Sequence, residues 1–309
     1  EGESVVLRYD LNIRNNGVIV DTQQSEIVIN GTNDSPNITV NDGIGNIQEG
    51  SSLSDSGSIS FEDVDLSDSV SVDSIVKSIN GYYDDNSMMM LDSATQMNIE
   101  DSFSFTNLNP GQNKGDINWN FNISESELDF LAQNERVEAT FTIRITDNQG
   151  VVTTQDITVR IDGSNDAPVI GSKDDLGTIE ESVTLTDSGY IDVSDVDVSD
   201  EITTSVSTTV QAYKKDGSVL DLTSEERANL INAFEITNGA LNSNSGTITW
   251  QYNTTESNLD FLSEGETVQI VYNIQISDKA TSVVEDVQID ITGTNDKPTV
   301  STDSLNVHE

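Results

Sequence analysis

The sequence predicts an all-β protein assembled from tandem β-sandwiches, and three observations carry that prediction. Short runs alternate apolar and polar residues, helical patterning is sparse, and one six-residue turn motif recurs at a domain-sized interval. Val137, Ala139, Phe141, Ile143 and Ile145 alternate with Glu138, Thr140, Thr142, Arg144 and Thr146, the period-2 pattern of a strand with one buried face. Ile157, Val159 and Ile161 lead into Gly163 as Val287, Ile289 and Ile291 lead into Gly293, so these read as final strands feeding a linker. Ser124 with Glu127, and Thr223 with Glu226, have capping-box spacing, which predicts single short helices around Leu128 and Leu230.

The turn motif is Gly31-Thr32-Asn33-Asp34-Ser35-Pro36, repeated as Gly163-Ser164-Asn165-Asp166-Ala167-Pro168 and Gly293-Thr294-Asn295-Asp296-Lys297-Pro298. A period this long marks units that each close their own core. Leu128-Asp129-Phe130-Leu131 matches Leu259-Asp260-Phe261-Leu262 in the same register, Trp119 matches Trp250, and Asp63-Val64-Asp65 matches Asp195-Val196-Asp197. Gly2-Glu3-Ser4-Val5 matches Gly265-Glu266-Thr267-Val268. Residues 1–36 therefore read as the end of a preceding module, 37–168 and 169–298 as whole modules, and 299–309 as the start of another. The stretch Asp221 to Phe234 reads as a loop insertion peculiar to the second module.

Composition limits the function classes. The chain has 309 residues, 55 acidic against 13 basic, and a formal charge of -42, with the acids spread along its length. Such a chain repels nucleic acid, and divalent cations are its natural counter-charge; acidity serving only solubility is the plainer reading. Without cysteine there are no disulfides or thiolate metal sites, and the single histidine, His308, leaves no Ser-His-Asp triad. No apolar stretch approaches the roughly 20 residues of a membrane span, and Glu1-Gly2-Glu3 has no signal-peptide character, so no direct membrane insertion is expected and both ends read as boundaries inside a longer protein. Paired carboxylates can hydrolyse glycosides, but none stands beside cleft aromatics in both modules, and repetition argues for architecture over an enzyme. Trp119 and Trp250 lie in alternating strands, which favours core positions over carbohydrate stacking.

Four features occur in order: the Gly-Thr-Asn-Asp-x-Pro terminus, the Asp-x-Asp pair, the Trp strand after a Gly (Gly115 to Trp119, Gly246 to Trp250) and the Asp147-Asn148-Gln149-Gly150 turn. Together they resemble the VCBS repeats of giant bacterial RTX-type adhesins, a branch of bacterial cadherin-like modules, over nearly the whole chain. The resemblance implies immunoglobulin/cadherin-like β-sandwiches in an extended string, exported by type I secretion to the bacterial surface or beyond, where Ca2+ is available. The chain departs from the pattern at Asp278-Lys279-Ala280-Thr281, and Asn15 replaces the Asp in the leading fragment.

Calcium takes six to eight oxygen ligands, more than one loop here supplies. By the logic of cadherin-like junctions, Asn33 and Asp34 would join Asp63, Asp65 and Asp147. Asn165 and Asp166 would join Asp195, Asp197 and Asp278, with Glu49 and Asp129 added from the upstream module. Glu181 and Asp260 would join Asn295 and Asp296. For Asp63-x-Asp65 and Asp195-x-Asp197 a solvated turn is the simpler alternative. In a strand, however, carboxylates at i and i+2 point one way and crowd like charges, which a cation offsets.

The expected function is a calcium-rigidified extender of a large adhesin, holding distal binding domains away from the cell in adhesion and biofilm formation. Its partners are then neighbouring modules of the same chain, with surface glycans or matrix proteins beyond them. One alternative is a carbohydrate- or protein-binding module using residues 211–240 or the loop 80–98, where Met88-Met89-Met90 follows Tyr82-Tyr83. Another is lateral assembly through the unpaired strand edges of residues 1–36.

Overall fold

A computed structural model describes residues 2–298; the expected next-module start at 299–309, with His308, lies outside the described residues. Strand β1 (Ser4–Asn15) pairs antiparallel with β2 (Val18–Asn30) as a two-stranded sheet, with Val5 opposite Ile29 and Leu7 opposite Ile27. Asn16 and Gly17 close the hairpin with φ of 47° and 83°, the left-handed pair that a two-residue type I′ turn demands. Every residue of both strands is exposed.

Chain contacts divide the protein into two units, residues 1–128 with 134–163, and residues 129–133 with 164–309. In the first, β3 (Asn37–Val40), β5 (Ser54–Glu62), β9 (Lys114–Asn122) and β8 (Phe103–Asn107) form one sheet in that order. The other sheet is β4 (Ile44–Gln48), β11 (Val152–Asp162), β10 (Arg136–Thr146), β6 (Ser71–Tyr82) and β7 (Met88–Met89). β4 runs parallel to β11, and the remaining pairs are antiparallel. The sheets meet through alternating residues: Phe103 of β8 stacks on Phe141 of β10 at 4.1 Å between ring centroids, and Phe121 of β9 lies 6.3 Å from the same ring.

The second unit repeats the plan. One sheet is β12 (Val169–Asp174), β14 (Thr186–Ser194), β17 (Ser245–Asn253) and β16 (Phe234–Ile236). The other is β13 (Leu176–Glu180), β19 (Ser282–Thr292), β18 (Thr267–Ser277) and β15 (Thr203–Tyr213). A single core draws on both: Ile191 and Trp250 from the first sheet, Ile270, Tyr272 and Val287 from the second. Each unit is thus an all-β sandwich, with the alternation seen in the sequence setting the buried face of each strand.

Both tryptophans are core residues. Trp119 and Trp250 are buried, and their indole N–H groups donate to the carbonyls of Asp42 (2.7 Å) and Asp174 (2.8 Å). Opposite each stands a glycine for want of room: a Cβ on Gly57 would lie 2.7 Å from the Trp119 ring, and one on Gly189 would lie 2.2 Å from the Asp174 carbonyl and 2.5 Å from Trp250.

Three expectations need correction. Asp221 to Phe234 is not an insertion: its helix α2 (Ser224–Asn232) has a counterpart, α1 (Ser93–Asp101), in the first unit, and both bury one apolar residue, Leu230 and Ile99. Thr223 and Glu226 cap α2 reciprocally (2.7 and 3.2 Å), whereas α1 starts on Asp92, whose Oδ1 accepts from Thr95 N. Near Leu128 the capping box closes only a 3-10 turn, Glu125–Glu127, with Ser124 N donating to Glu127 at 3.0 Å. Thirdly, Asp63, Asp65, Asp195 and Asp197 lie beyond the ends of β5 and β14 and not within a strand, so strand alternation does not govern where they point.

Candidate metal centres

At the end of β5 in the first unit the chain turns through Asp63 to Asp68. The turn is fixed from below by Asn113, whose carbonyl accepts from Asp63 N (2.6 Å) and whose side-chain amide donates to Asp63 O (2.9 Å). Asp63 Oδ1 accepts from Asp65 N (2.9 Å), and Asp68 N donates to Asp65 O (3.0 Å), so the loop curls and directs the first and last carboxylates to one side. Asp147, in the turn between β10 and β11, completes the group: Asp63, Asp68 and Asp147 are all buried, and each offers an oxygen within 4.8 Å of the others. Oxygens at that spacing can share one calcium at about 2.4 Å.

The linker is fastened to this cluster. Asn33 Nδ2 donates to Asp147 Oδ2 (3.0 Å) and to Asp34 O (2.9 Å), and Asp34 N donates to Asp65 Oδ2 (2.8 Å). The Asp63/Asp65 pair therefore divides: Asp63 joins the buried group, and Asp65 receives the linker backbone. Buried side-chain oxygens of Asn33 (Oδ1), Asp63 (Oδ2) and Asp68 (Oδ2) accept no hydrogen bond among the described residues. Burial, then the charges of Asp63 and Asp65, pushes the Asp68 carboxyl up. Burial also raises Asp147, but donors from Asn33, Val151, Gln149 and Gly150 outweigh it and hold that carboxyl below its ordinary value.

The second unit rebuilds this arrangement. Asn244 clamps Asp195 from both sides (2.7 and 2.8 Å), Asp195 Oδ1 accepts from Asp197 N (3.0 Å), and Asp166 N donates to Asp197 Oδ2 (2.9 Å). Asp195, Asp200 and Asp278 form the buried triad, and Asn165 donates to Asp278 Oδ2 at 3.3 Å. Thr281 takes the place of Gly150 and adds a hydroxyl donor to Asp278 Oδ2 (2.7 Å). Desolvation is deeper here and dominates: it carries Asp195 up to about 6 and Asp197 up to about 7, with the neighbouring aspartates adding to the rise. Asp200 is raised by burial and by Asp278, against Lys279.

A third group, Glu181, Glu256, Asp260 and Asp296, also lies in the second unit, with oxygens within 4.8 Å of one another. Glu181 is fully buried; its Oε2 accepts from Thr294 N (2.7 Å), while Oε1 accepts no hydrogen bond among the described residues. Burial pushes Glu181 up, with Asp296 and Glu256 adding charge repulsion. Asn295 precedes Asp296 in the chain, and its side-chain amide donates to Asp296 O at 3.2 Å. Asp129 and Asp166, both in the second unit, bring their carboxylates within 4.8 Å. In the first unit Glu49 is buried, with its backbone N–H on Asp162 O (3.1 Å).

Three acids escaped the sequence reading: Asp68, Asp200 and Glu256. The first two had a signal, because Asp63-Val64-Asp65-Leu66-Ser67-Asp68 recurs as Asp195-Val196-Asp197-Val198-Ser199-Asp200. All donors in these groups are hard oxygens, the chemistry of calcium or magnesium and not of thiolate- or imidazole-bound metals. Carboxylates gathered out of water repel one another, and a divalent cation offsets both penalties.

No family model matches the chain, and no curated protein matches it. Solved structures similar to it include the protocadherin gamma B2 extracellular cadherin domains 1–5, with 13% identity and a TM-score of 0.43 over 96% of this chain and 47% of that one. Domains 3–6 of the same protein follow at 13% and 0.41, covering 94% and 57%, and a protocadherin gammaB7 EC3-6 cis-dimer structure at 11% and 0.41, covering 94% and 57%. The chain thus spans about half the length of these structures. Among the described residues no helix is long and apolar enough to cross a membrane.

Proposed function

We propose that this chain is a calcium-stiffened extender segment of a large bacterial cell-surface or secreted adhesin of the VCBS, RTX type. On this reading residues 37–168 and 169–298 are whole cadherin-like modules, and 1–36 and 299–309 belong to the modules on either side. Calcium bound by Asp63, Asp147 and Asn33, with Asp34 and Asp65, fastens the linker that enters the first module. Asp195, Asp278 and Asn165, with Asp166 and Asp197, do the same for the second, and Asp129 and Glu49 add acids in that region of the chain. Glu181, Asp260 and Asp296, with Asn295, fasten the linker that leaves it. The string then stands as a rod outside the cell, and its neighbouring modules are its first partners. Distal domains, carrying any affinity for glycans or matrix proteins, are held out for adhesion and biofilm formation.

The observation that supports this most is the duplication of a buried three-carboxylate group, in both units bonded to the linker Asn. Plain solubility charge has no need of burial. Binding to the folded state alone stabilises by mass action, so folding is favoured where calcium is plentiful. Small-angle scattering and thermal unfolding with excess calcium, then with chelator at fixed ionic strength, test the reading. A stiff rod that softens and melts earlier without calcium supports it; unchanged shape and melting overturn it.

A second reading, partner recognition, draws on the β6–β7 hairpin, where Tyr83, Met88 and Met90 are each exposed. The second unit carries Lys214, Lys215 and Asp216 at the equivalent turn, so the feature belongs to one module.

A further inference from the structure

We infer that Asp68 and Asp200 are cation ligands, each closing a site with Asp63 and Asp147, or with Asp195 and Asp278, that lies wholly inside one unit. The inference rests on the calcium reading above. It adds a third buried carboxylate to each site, with all three acids of a site drawn from one unit.

Two observations carry it. The three aspartates of each triad offer oxygens within 4.8 Å of one another, and all six residues are at least nine-tenths buried. Asp63, Asp68, Asp195 and Asp200 also each bury an Oδ2 that accepts no hydrogen bond among the described residues, while the Oδ1 atoms of Asp63, Asp68 and Asp195 each accept one. A buried carboxylate oxygen without a donor is costly, and four of them at equivalent places are not an accident of packing. A solvated turn leaves such oxygens in water. Here the backbone spends hydrogen bonds to curl the loop inward, from Asp68 N to Asp65 O and from Asp200 N to Asp197 O, holding the last aspartate against the first.

The consequence is a division of labour among the acids. The triad couples calcium to the folding of its own module, whereas Asp34, Asp65, Asp166 and Asp197 act on the linker. Removing one triad carboxylate lowers calcium affinity because charge count sets it. The same change relieves like-charge crowding in the metal-free chain.

The test uses the full chain stripped of metal by chelator and titrated calorimetrically with calcium chloride, comparing wild type, Asp68→Asn, Asp200→Asn, the double variant, and Asp84→Asn at an exposed loop acid. The expected result is loss of about tenfold in affinity at one site per triad substitution, with Asp84→Asn as wild type. In chelator the triad variants melt above wild type, which a merely structural role for Asp68 or Asp200 would not produce. Wild-type calcium uptake with triad variants that titrate and melt as wild type overturns the inference and leaves the extender reading standing. A wild-type chain that takes up no calcium overturns both.

Discussion

The backbone N–H of Asp166 donates to Asp197 Oδ2 at 2.9 Å, as Asp34 N does to Asp65 Oδ2 at 2.8 Å, so the same linker position is tied to the same loop position in each unit. The two acceptors differ in surroundings. Asp197 is fully buried beside Asp195 and Asp200, and burial first, then their charges, lifts its carboxyl to about 7. An acid whose folded pKa exceeds its unfolded value holds extra protons in the folded state. Its contribution is fully present below the unfolded pKa, about 4, and is lost as pH rises through about 7. The metal-free chain should therefore show a second-unit transition that falls steadily between pH 4 and 7, followed by Trp250 fluorescence in a Trp119→Phe background. Asp197→Asn should flatten that slope and stabilise the metal-free second unit near neutrality by about 1–3 kcal/mol. A slope unchanged by the substitution would remove Asp197 as its cause. Saturating calcium should abolish the slope, because the cation and not the proton then offsets the charge.

The tryptophans separate core from carbohydrate platform. Trp119 and Trp250 are buried, with indole N–H groups on the carbonyls of Asp42 and Asp174. Substitution by Ala should cost about 3–5 kcal/mol of the parent unit's stability, and Phe should cost about 1–3 kcal/mol because the carbonyl loses its donor. Gly57→Ala and Gly189→Ala should also destabilise, since the new methyl meets the same rings. Urea unfolding of each variant measures the losses. A variant that keeps its stability but loses affinity for a glycan would restore the platform reading.

Much of the fold was legible because one-sided burial writes itself as alternation, as in Val137 to Ile145, and because the duplicated motifs fall in two units of the same strand plan. Helix α1 was not legible. Ser93 to Asp101 has weak amphipathicity, a single buried residue, Ile99, and no acidic residue at N3 to complete a box, while α2 announces itself through Thr223 and Glu226. A lone Asp92 cap starts α1, a weaker signal than the reciprocal box that starts α2. At the candidate metal centres, Asp63 lies with Asp147 and Asp195 with Asp278, but strand alternation is not what brings them together. The loops curl by side-chain-to-backbone bonds that bring in Asp68 and Asp200, and a period-2 argument has no access to such bonds.

Glu181 offers an independent test at the far end of the second unit. Its Oε2 holds Thr294 N at 2.7 Å, while burial and the charges of Asp296 and Glu256 act against its ionised form. Glu181→Gln keeps an oxygen for Thr294 and removes the charge. In chelator it should leave stability unchanged or raise it by about 1 kcal/mol, and in calcium it should shrink the calcium-induced rise in melting temperature. Differential scanning calorimetry in both conditions reads the two effects. Equal shifts in chelator and in calcium would mean that Glu181 serves only as an anchor for Thr294.

The hairpin at residues 4–30 sets a limit on what its sequence can do alone. Val5, Leu7, Tyr9, Leu11 and Ile13 correspond in register to Val137, Ala139, Phe141, Ile143 and Ile145, and Val5 faces Ile29 as Val137 faces Ile161. In the complete unit β10 lies between β11 and β6, and its alternate residues are buried. In the hairpin β1 has only β2, and all five counterparts are exposed. Two strands with a bare apolar face are marginal in water. Amide hydrogen exchange should accordingly show β1 exchanging orders of magnitude faster than β10, and removal of residues 1–30 should leave both unfolding transitions in place while reducing self-association. Protection of β1 equal to that of β10 in a dilute, monomeric sample would show that the hairpin is stabilised by more than its own pairing.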